Sequence, residues 1–429
     1  MPIITTRKSE VPEPLTGELL SKKLIQKTET ITKIENKYLP EEIVKTCENA
    51  VKLYNLFETK LPTTGHIALM TASQLTSMCI NMDRQFNLAF GAPVGQGKTT
   101  VLSQFCTIPF VNYMNRTTYA DYMLMHCGKF LKAIGKRLPH GVKYDKRAKW
   151  RDGEPVIDVS EAEDRITDRV DIITDGESLF YQTDLEKLLQ FWNAILEQGF
   201  YRGGDQYSGH YIIGTPENRV RHGLALACTT DNFNKYILTD IGWNSRCVLA
   251  VWENLDCENL YIRHGIRNNL LDDSPEFYFE VSKILSHLNP KKKVTIEYSG
   301  NEVEQHIIEL ENSLKEIRLE KPGLRATKDV KRILRAFAFL NLDFKVRYEH
   351  VIFVKALINS LCKRIQVGDE YRDLGSRLHF IVSLLNYLGY NEKETIQYLT
   401  QHFTWWNSNS KSLYTEEEIK RAMKEVNID

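Results

Sequence analysis

The strongest chemical signal in the chain is the run Ala92-Pro93-Val94-Gly95-Gln96-Gly97-Lys98-Thr99, followed by Thr100. Glycines at 95 and 97 free the backbone to turn its N–H groups inward, where they can surround phosphate oxygens. The ammonium of Lys98 can reach the β and γ phosphates, and the Thr99 hydroxyl can ligate Mg²⁺. This is the Walker A pattern with Ala92 in place of its first glycine. The pattern needs a strand before it and a helix after it, because the helix N-terminus adds a positive dipole end. Phe86–Phe90 is a short apolar run, and Val101, Leu102 and Phe105 continue at helical spacing. ATP with Mg²⁺ is therefore the expected ligand, held by Gly95, Gln96, Gly97, Lys98, Thr99 and Thr100.

A phosphate loop of this kind works with an acid at the end of a neighbouring strand, which holds the metal ion. The run Val170–Thr174 ends in Asp175, the expected partner of Thr99 on Mg²⁺. Gly176 follows, so the nearest carboxylate to polarise an attacking water is Glu177. Asp171 competes as metal ligand if the register differs, and helix N-capping is the ordinary role of an Asp at 175. Another apolar run, Leu224–Cys228, leads into Thr229-Thr230-Asp231-Asn232. Thr229, Thr230 or Asn232 could orient the hydrolytic water and sense the γ phosphate, though the same residue types also suit a plain strand-end turn. Arg246 precedes the run Cys247–Trp252 and could reach the γ phosphate of a neighbouring subunit; its ordinary role would be a solvated strand-start residue.

The elements that must position these groups are strands at 86–90, 170–175, 224–230 and 246–252, with helices between them. Residues 40–58 and 66–82 read as helices ahead of the loop, and Leu185–Leu196 as a helix after the acid strand. From 256 onward the pattern is mostly helical. The expected architecture is an α/β core with a helical lid and a small C-terminal helical domain. The expected boundaries are an N-terminal arm with helices at 1–65, the core at 66–255, the lid at 256–365 and the C-terminal piece at 366–429.

With 429 residues, the core needs no disulfide or metal staple to fold. Lys plus Arg equals Asp plus Glu at 56 each, which disfavours both a globally basic nucleic-acid coat and an acidic disordered chain. The eight cysteines are scattered singly, so a disulfide scaffold and a zinc ribbon are not expected, and a reducing, cytoplasmic compartment is. No signal peptide and no membrane span are read from the sequence.

Local charge is less even. Residues 129–151 hold nine Lys or Arg against Asp145, and residues 152–177 hold ten acids against Arg165 and Arg169. The basic run carries Tyr144 and Trp150 and is a candidate phosphate contact, although such runs are more often solvated faces or partners of a nearby acidic run. Residues 200–222 read as a hairpin rich in Gly, Tyr and Arg. Tyr201, Arg202, Arg219 and Arg221 supply the cations and stacking faces that single-stranded DNA binding uses; a structural hairpin is the alternative. Trp405 and Trp406 are expected in the core, and no role is assigned to His66, His126 or His379.

The order of these features resembles an AAA+ ATPase, closest in layout to the minichromosome maintenance and superfamily 3 helicases and to P-loop proteins that accompany phage and plasmid primases. The likeness spans about residues 85–365. It implies a homo-oligomeric ring, hydrolysis completed by Arg246 from a neighbour, and motor work on DNA in the replication of a mobile element or virus. The segment Leu324–Ala338 resembles the lid of that class, in which an arginine contacts the nucleotide; Arg325 matches that place, with Arg332 the second choice. An ATP-switched DNA-binding or loading factor, or an ATPase that remodels proteins, are the other readings.

Overall fold

The computed structural model describes residues 39–61, 63–95, 97–118, 122, 150–151, 154–155, 166–180, 185–205, 209–238, 246–251, 276–298, 302–317, 324–362, 377–403 and 412–426. Its strands of four or more residues are β1 (Asn87–Gly91), β2 (Val111–Met114), β3 (Arg169–Ile173), the hairpin of β4 (Tyr201–Asp205) and β5 (Gly209–Ile213), β6 (His222–Cys228) and β7 (Cys247–Val251). Five of them form one parallel sheet in the order β2-β3-β6-β1-β7. The chain is thus α/β, as its sequence predicts.

Two features differ from the sequence reading. The acid-bearing strand β3 is not the direct neighbour of β1, because β6 lies between them. Small and apolar on both faces, the segment Gly223-Leu224-Ala225-Leu226-Ala227 is buried throughout and suits the sheet centre. The short edge strand β2 carries no marked period; its Asn112, Tyr113 and Met114 are only partly buried.

Helices α1 (Glu41–Val44), α2 (Glu48–Lys60) and α3 (Gly65–Ser77) precede the sheet, and α4 (Lys98–Ser103) follows β1. Next come α5 (Glu177–Phe180), α6 (Leu185–Gln198), α7 (Tyr278–Ile284), α8 (Glu302–Ile317), α9 (Leu324–Leu340) and α10 (Tyr348–Cys362). The chain closes with α11 (Arg377–Tyr387), α12 (Glu392–His402) and α13 (Glu416–Val426).

Every residue of α3 is buried, with α2 and α9 packed along it. Burying a hydroxyl is costly unless it is hydrogen-bonded. The hydroxyls of Thr71, Ser73, Thr76 and Ser77 each donate to a carbonyl one turn back, at 2.6–3.0 Å. The Gln74 amide donates to Leu224 O at 2.6 Å and ties the helix to β6.

Early and late parts of the chain also meet. Arg377 of α11 donates to Glu58 of α2 at 2.7 Å and to the Tyr414 hydroxyl at 2.8 Å, all buried. Glu58 in turn accepts the N–H groups of Thr63 and Gly65. Among the described residues, no helix is long and apolar enough to cross a membrane.

Candidate functional site

Because the five strands are parallel, their C-terminal ends share one edge, the usual place for ligands on such sheets. Gly91 lies level with Cys228, and Ile173 level with Leu226. The residues just past each strand end therefore converge there.

The loop after β1 has the backbone its glycines allow. Gly95 and Gly97 adopt φ of 82° and 73°, in the left-handed region that other residues avoid. At Gly91 the constraint is space, since a Cβ would stand 2.7 Å from the Phe233 ring. Gly97 hands the chain directly to α4, whose first residue is Lys98. The Lys98 ammonium donates to the carbonyls of Ala92 at 2.8 Å and Pro93 at 3.0 Å. Burial lowers its pKa, against the charges of Glu177 and Asp175 nearby. Thr99 and Thr100 follow in the first turn of α4; Gln96 lies outside the described residues.

Opposite the loop stand Asp175 and Glu177, just past β3. They share a hydrogen bond, and that bond, burial and the charge of Glu177 push the Asp175 carboxyl up to about 6. Burial acts to raise Glu177 as well, but hydrogen bonds with Asp175 and Thr229 and the nearby Lys98 hold it below its usual range. As pH falls, Asp175 therefore takes up its proton before Glu177 does. Asp175 also accepts the Ser178 N–H, as a helix N-cap does. Glu177 accepts the backbone N–H of Thr229 at the end of β6.

Past β6, the Asn232 amide donates to the Thr229 hydroxyl at 3.0 Å. The Thr230 hydroxyl is buried and has no hydrogen-bond partner among the described residues. A π-helical turn, Phe233–Leu238, follows, and such turns recur at functional sites. Its Tyr236 stacks on Phe180 at 4.8 Å, which couples the segments after β3 and β6. Sequence reasoning missed Asn115 and Arg116, which follow β2 onto this same edge. Asn115 accepts from Thr174 at 3.3 Å and from the Tyr113 hydroxyl at 2.7 Å, and Arg116 acts to lower the Asp175 pKa. The unread β2 is the reason they were missed.

Asp171 is not on this edge. It is fully buried within β3, where it accepts from the Tyr122 hydroxyl at 2.5 Å and from Asn112 at 2.9 Å, and faces His222 at 2.9 Å. The other nitrogen of His222 faces Ile166 O at 3.0 Å. Tyr122 itself is covered edge-on by Phe191 and Trp192. Asp171 thus serves a structural network, and the competing metal-ligand reading fails on burial.

The opposite, N-terminal edge of the sheet gathers arginines. Arg246 precedes β7, whose first residue is level with Asn87 at the start of β1. About 13 Å of strand separates that level from the phosphate loop of the same chain. Here Arg246 donates through Nε and Nη2 to Oε2 of Glu197 at 2.8 and 2.5 Å, and Arg325 donates to Oε1 at 2.7 Å. Arg332 bonds Asp329 and Asp83 instead. Arg325 therefore stands with Arg246 and away from the loop 92–99, unlike the nucleotide contact the resemblance implies. Glu197 was missed in the sequence, although an acid in the last turn of an amphipathic helix opposes the helix dipole and so asks for a reason.

Hairpin β4–β5 forms as expected, with Arg202 level with Ile212. The Tyr201 ring packs edge-on against Phe191 at its root. Arg221 is committed to the fold: it donates to Ser77 O and Ile80 O, both at 3.1 Å, at the C-terminal end of α3. Arg219 is exposed and donates to Pro216 O at 3.1 Å. Of the basic run, only Trp150 and Arg151 are described, paired with Pro155 and Glu154; Trp405, Trp406 and His126 lie outside the described residues. His66 is buried in α3, and His379 bonds Glu425 at 2.8 Å.

The chemistry of this edge fits a metal-bound nucleoside triphosphate. A loop in left-handed glycine conformation faces a pair of interacting carboxyl groups. Among the described residues, the Lys98 ammonium bonds its own loop's carbonyls, and a buried Thr230 hydroxyl is unpartnered. No family model matches the chain, and no curated protein is significantly similar to it.

Proposed function

We propose that the chain is an ATP-binding and ATP-hydrolysing motor of the AAA+ type that works as a homo-oligomeric ring on DNA, helicase-like in the replication of a mobile element or virus. The observation that carries the reading is the convergence of Lys98, Asp175, Glu177 and Thr229 on the C-terminal edge of one parallel sheet. The strand order supports it, because β6 between β1 and β3 leaves Thr229 and Thr230 between the phosphate loop and the carboxyl pair. That is where a group sensing the γ phosphate is needed.

In this reading the loop amides of 94–99 take the phosphates, and Lys98 leaves the carbonyls of Ala92 and Pro93 to meet them. Thr99 and Asp175 would hold Mg²⁺, which offsets phosphate charge as the terminal bond breaks. Glu177, already charged and braced by Thr229, orients the attacking water and accepts its proton. Arg246 lies too far from its own loop and acts on the γ phosphate of an adjacent copy. The support for DNA as substrate is narrower: the hairpin with Arg202, and the exposed Arg219 beside it.

Steady-state ATP turnover, with and without single-stranded DNA and beside a Lys98→Ala control, tests the reading. DNA-stimulated turnover that vanishes in the control supports it. Turnover unmoved by DNA removes the motor-on-DNA half, and turnover retained in Lys98→Ala removes the site.

A further inference from the structure

We propose that Glu197 is a positioning residue that presents Arg246 and Arg325 as one unit to the terminal phosphate held by an adjacent copy of this chain. The inference rests on the nucleotide-motor reading above and adds to it a second cation and the carboxylate that sets both.

Glu197 is a charge in an unfavourable place. It sits in the last turn of α6, where unsatisfied carbonyls make the surroundings negative and an acid is disfavoured. Arg84 relieves part of this by donating to Leu196 O at 3.3 Å. The rest is offset by two guanidinium groups from distant segments: Arg246, before β7, and Arg325, in the first turn of α9. One carboxylate oxygen serves each arginine.

Two guanidinium groups this close repel each other, and the shared carboxylate is what holds them together. It also sets their spacing. A carboxylate and a phosphoryl group offer guanidinium the same kind of oxygen fork, so arginines arranged on one are arranged for the other. The cluster is open to solvent, with side-chain exposures of 43% for Arg325, 38% for Glu197 and 20% for Arg246. An ion pair so exposed is weak and can be shared with an incoming anion. Arg84 adds a further cation beside Asp83, so three arginines stand against two acids and the cluster keeps excess positive charge. The chain's own phosphate loop is at the other end of the sheet, so the anion that this cluster suits comes from a second copy.

The test is a mutant cycle read as turnover in the full-length protein. Glu197→Gln keeps the shape and removes the charge; it should lower kcat about tenfold and leave the KM for ATP within about twofold, because a misplaced group costs rate and not ground-state binding. Glu197→Asp should recover part of the rate. In an Arg246→Ala, Arg325→Ala background Glu197→Gln should cost nothing more, since both groups it positions are gone. Losses that multiply, or a raised KM at constant kcat, would overturn the proposal and leave Glu197 a structural acid. The underlying reading is checked separately by mixing Lys98→Ala subunits with Arg246→Ala subunits. Recovered turnover in the mixture shows that Arg246 acts across copies. No recovery, with both variants folded, overturns the cross-copy reading and this proposal with it. A wild-type protein without turnover overturns both as well.

Discussion

Glu177 and Thr229 are joined by a hydrogen bond from the Thr229 backbone N–H to the Glu177 carboxylate, which ties the segment that follows β3 to the one that follows β6. The link crosses the space between the acid strand and the strand beside the phosphate loop. In the proposed reading, a γ phosphate that meets Thr229 would act on Glu177 through this bond, and Tyr236 of the π-helical turn behind Thr229 stacks on Phe180.

From this link follows a prediction for Glu177→Gln. The carboxamide can still accept the Thr229 N–H, but it has no charge with which to take a proton from water. Nucleotide binding should persist while kcat falls by about 10²–10⁴. Binding by a fluorescent ATP analogue together with single-turnover hydrolysis checks both halves. Near-normal turnover would leave Glu177 as a brace only.

Lys98→Ala removes a half-buried ammonium whose bonds go to two loop carbonyls. Ala92 is buried and Pro93 only partly so, and losing these two bonds should lower the melting temperature by a few degrees. ATP affinity and turnover should both collapse, which separates a phosphate ligand from a structural lysine. Thermal melts with and without MgATP make the distinction: the wild type should be stabilised by the nucleotide and the variant should not.

The loop at 92–99 was legible in the sequence, because glycines at two fixed positions before a Lys-Thr pair report backbone geometry directly. The strand ending at Asp175 was legible as an apolar run, but its place in the sheet was not. Sequence neighbours do not state strand order, and β6 took the position beside β1 because small, wholly apolar residues tolerate burial on both faces. The sequence favoured Asp175 and left Asp171 as a competitor if the register differed. Position along the strand decides between them: Asp171 is mid-strand, in the layer closed by Tyr122, Trp192 and His222, and Asp175 is past the strand end. Arg221 and Arg219 likewise read as a pair, but only tertiary packing shows that Arg221 meets the end of α3. Glu197 could be found only once three distant segments were in one place.

The two arginines after the hairpin should separate by phenotype. Arg221→Ala strips donors from Ser77 O and Ile80 O and should destabilise the fold by about 1–3 kcal/mol, with DNA affinity unchanged. Arg202→Ala combined with Arg219→Ala should leave the melting temperature nearly unchanged. It should weaken single-stranded DNA binding and reduce the slope of log affinity against log salt by about 2, one for each phosphate that the pair no longer neutralises. Titrations at several salt concentrations read the slope. An unchanged slope would take the hairpin off the DNA path.

Acid should act on the fold through His66. This residue is in the wholly buried helix α3, and neither ring nitrogen has a hydrogen-bond partner among the described residues. Burial chiefly, and then the charge of Arg377, lower its pKa from 6.5 to about 3. The folded protein thus holds His66 neutral, and the unfolded chain binds its proton first as pH falls. Stability from this residue is complete above about pH 6.5 and declines as pH falls from there toward 3. At pH 5 the decline amounts to about 2 kcal/mol, from 1.5 pH units at 1.36 kcal/mol each. His66→Leu removes the titrating group and two unpartnered polar atoms while keeping an apolar side chain in the core. The variant should be at least as stable as the wild type at pH 7 and should hold its advantage more strongly at pH 5. Urea unfolding at both pH values measures the difference. A wild-type-minus-variant stability that does not change between them would mean that His66 finds a proton partner in the folded state.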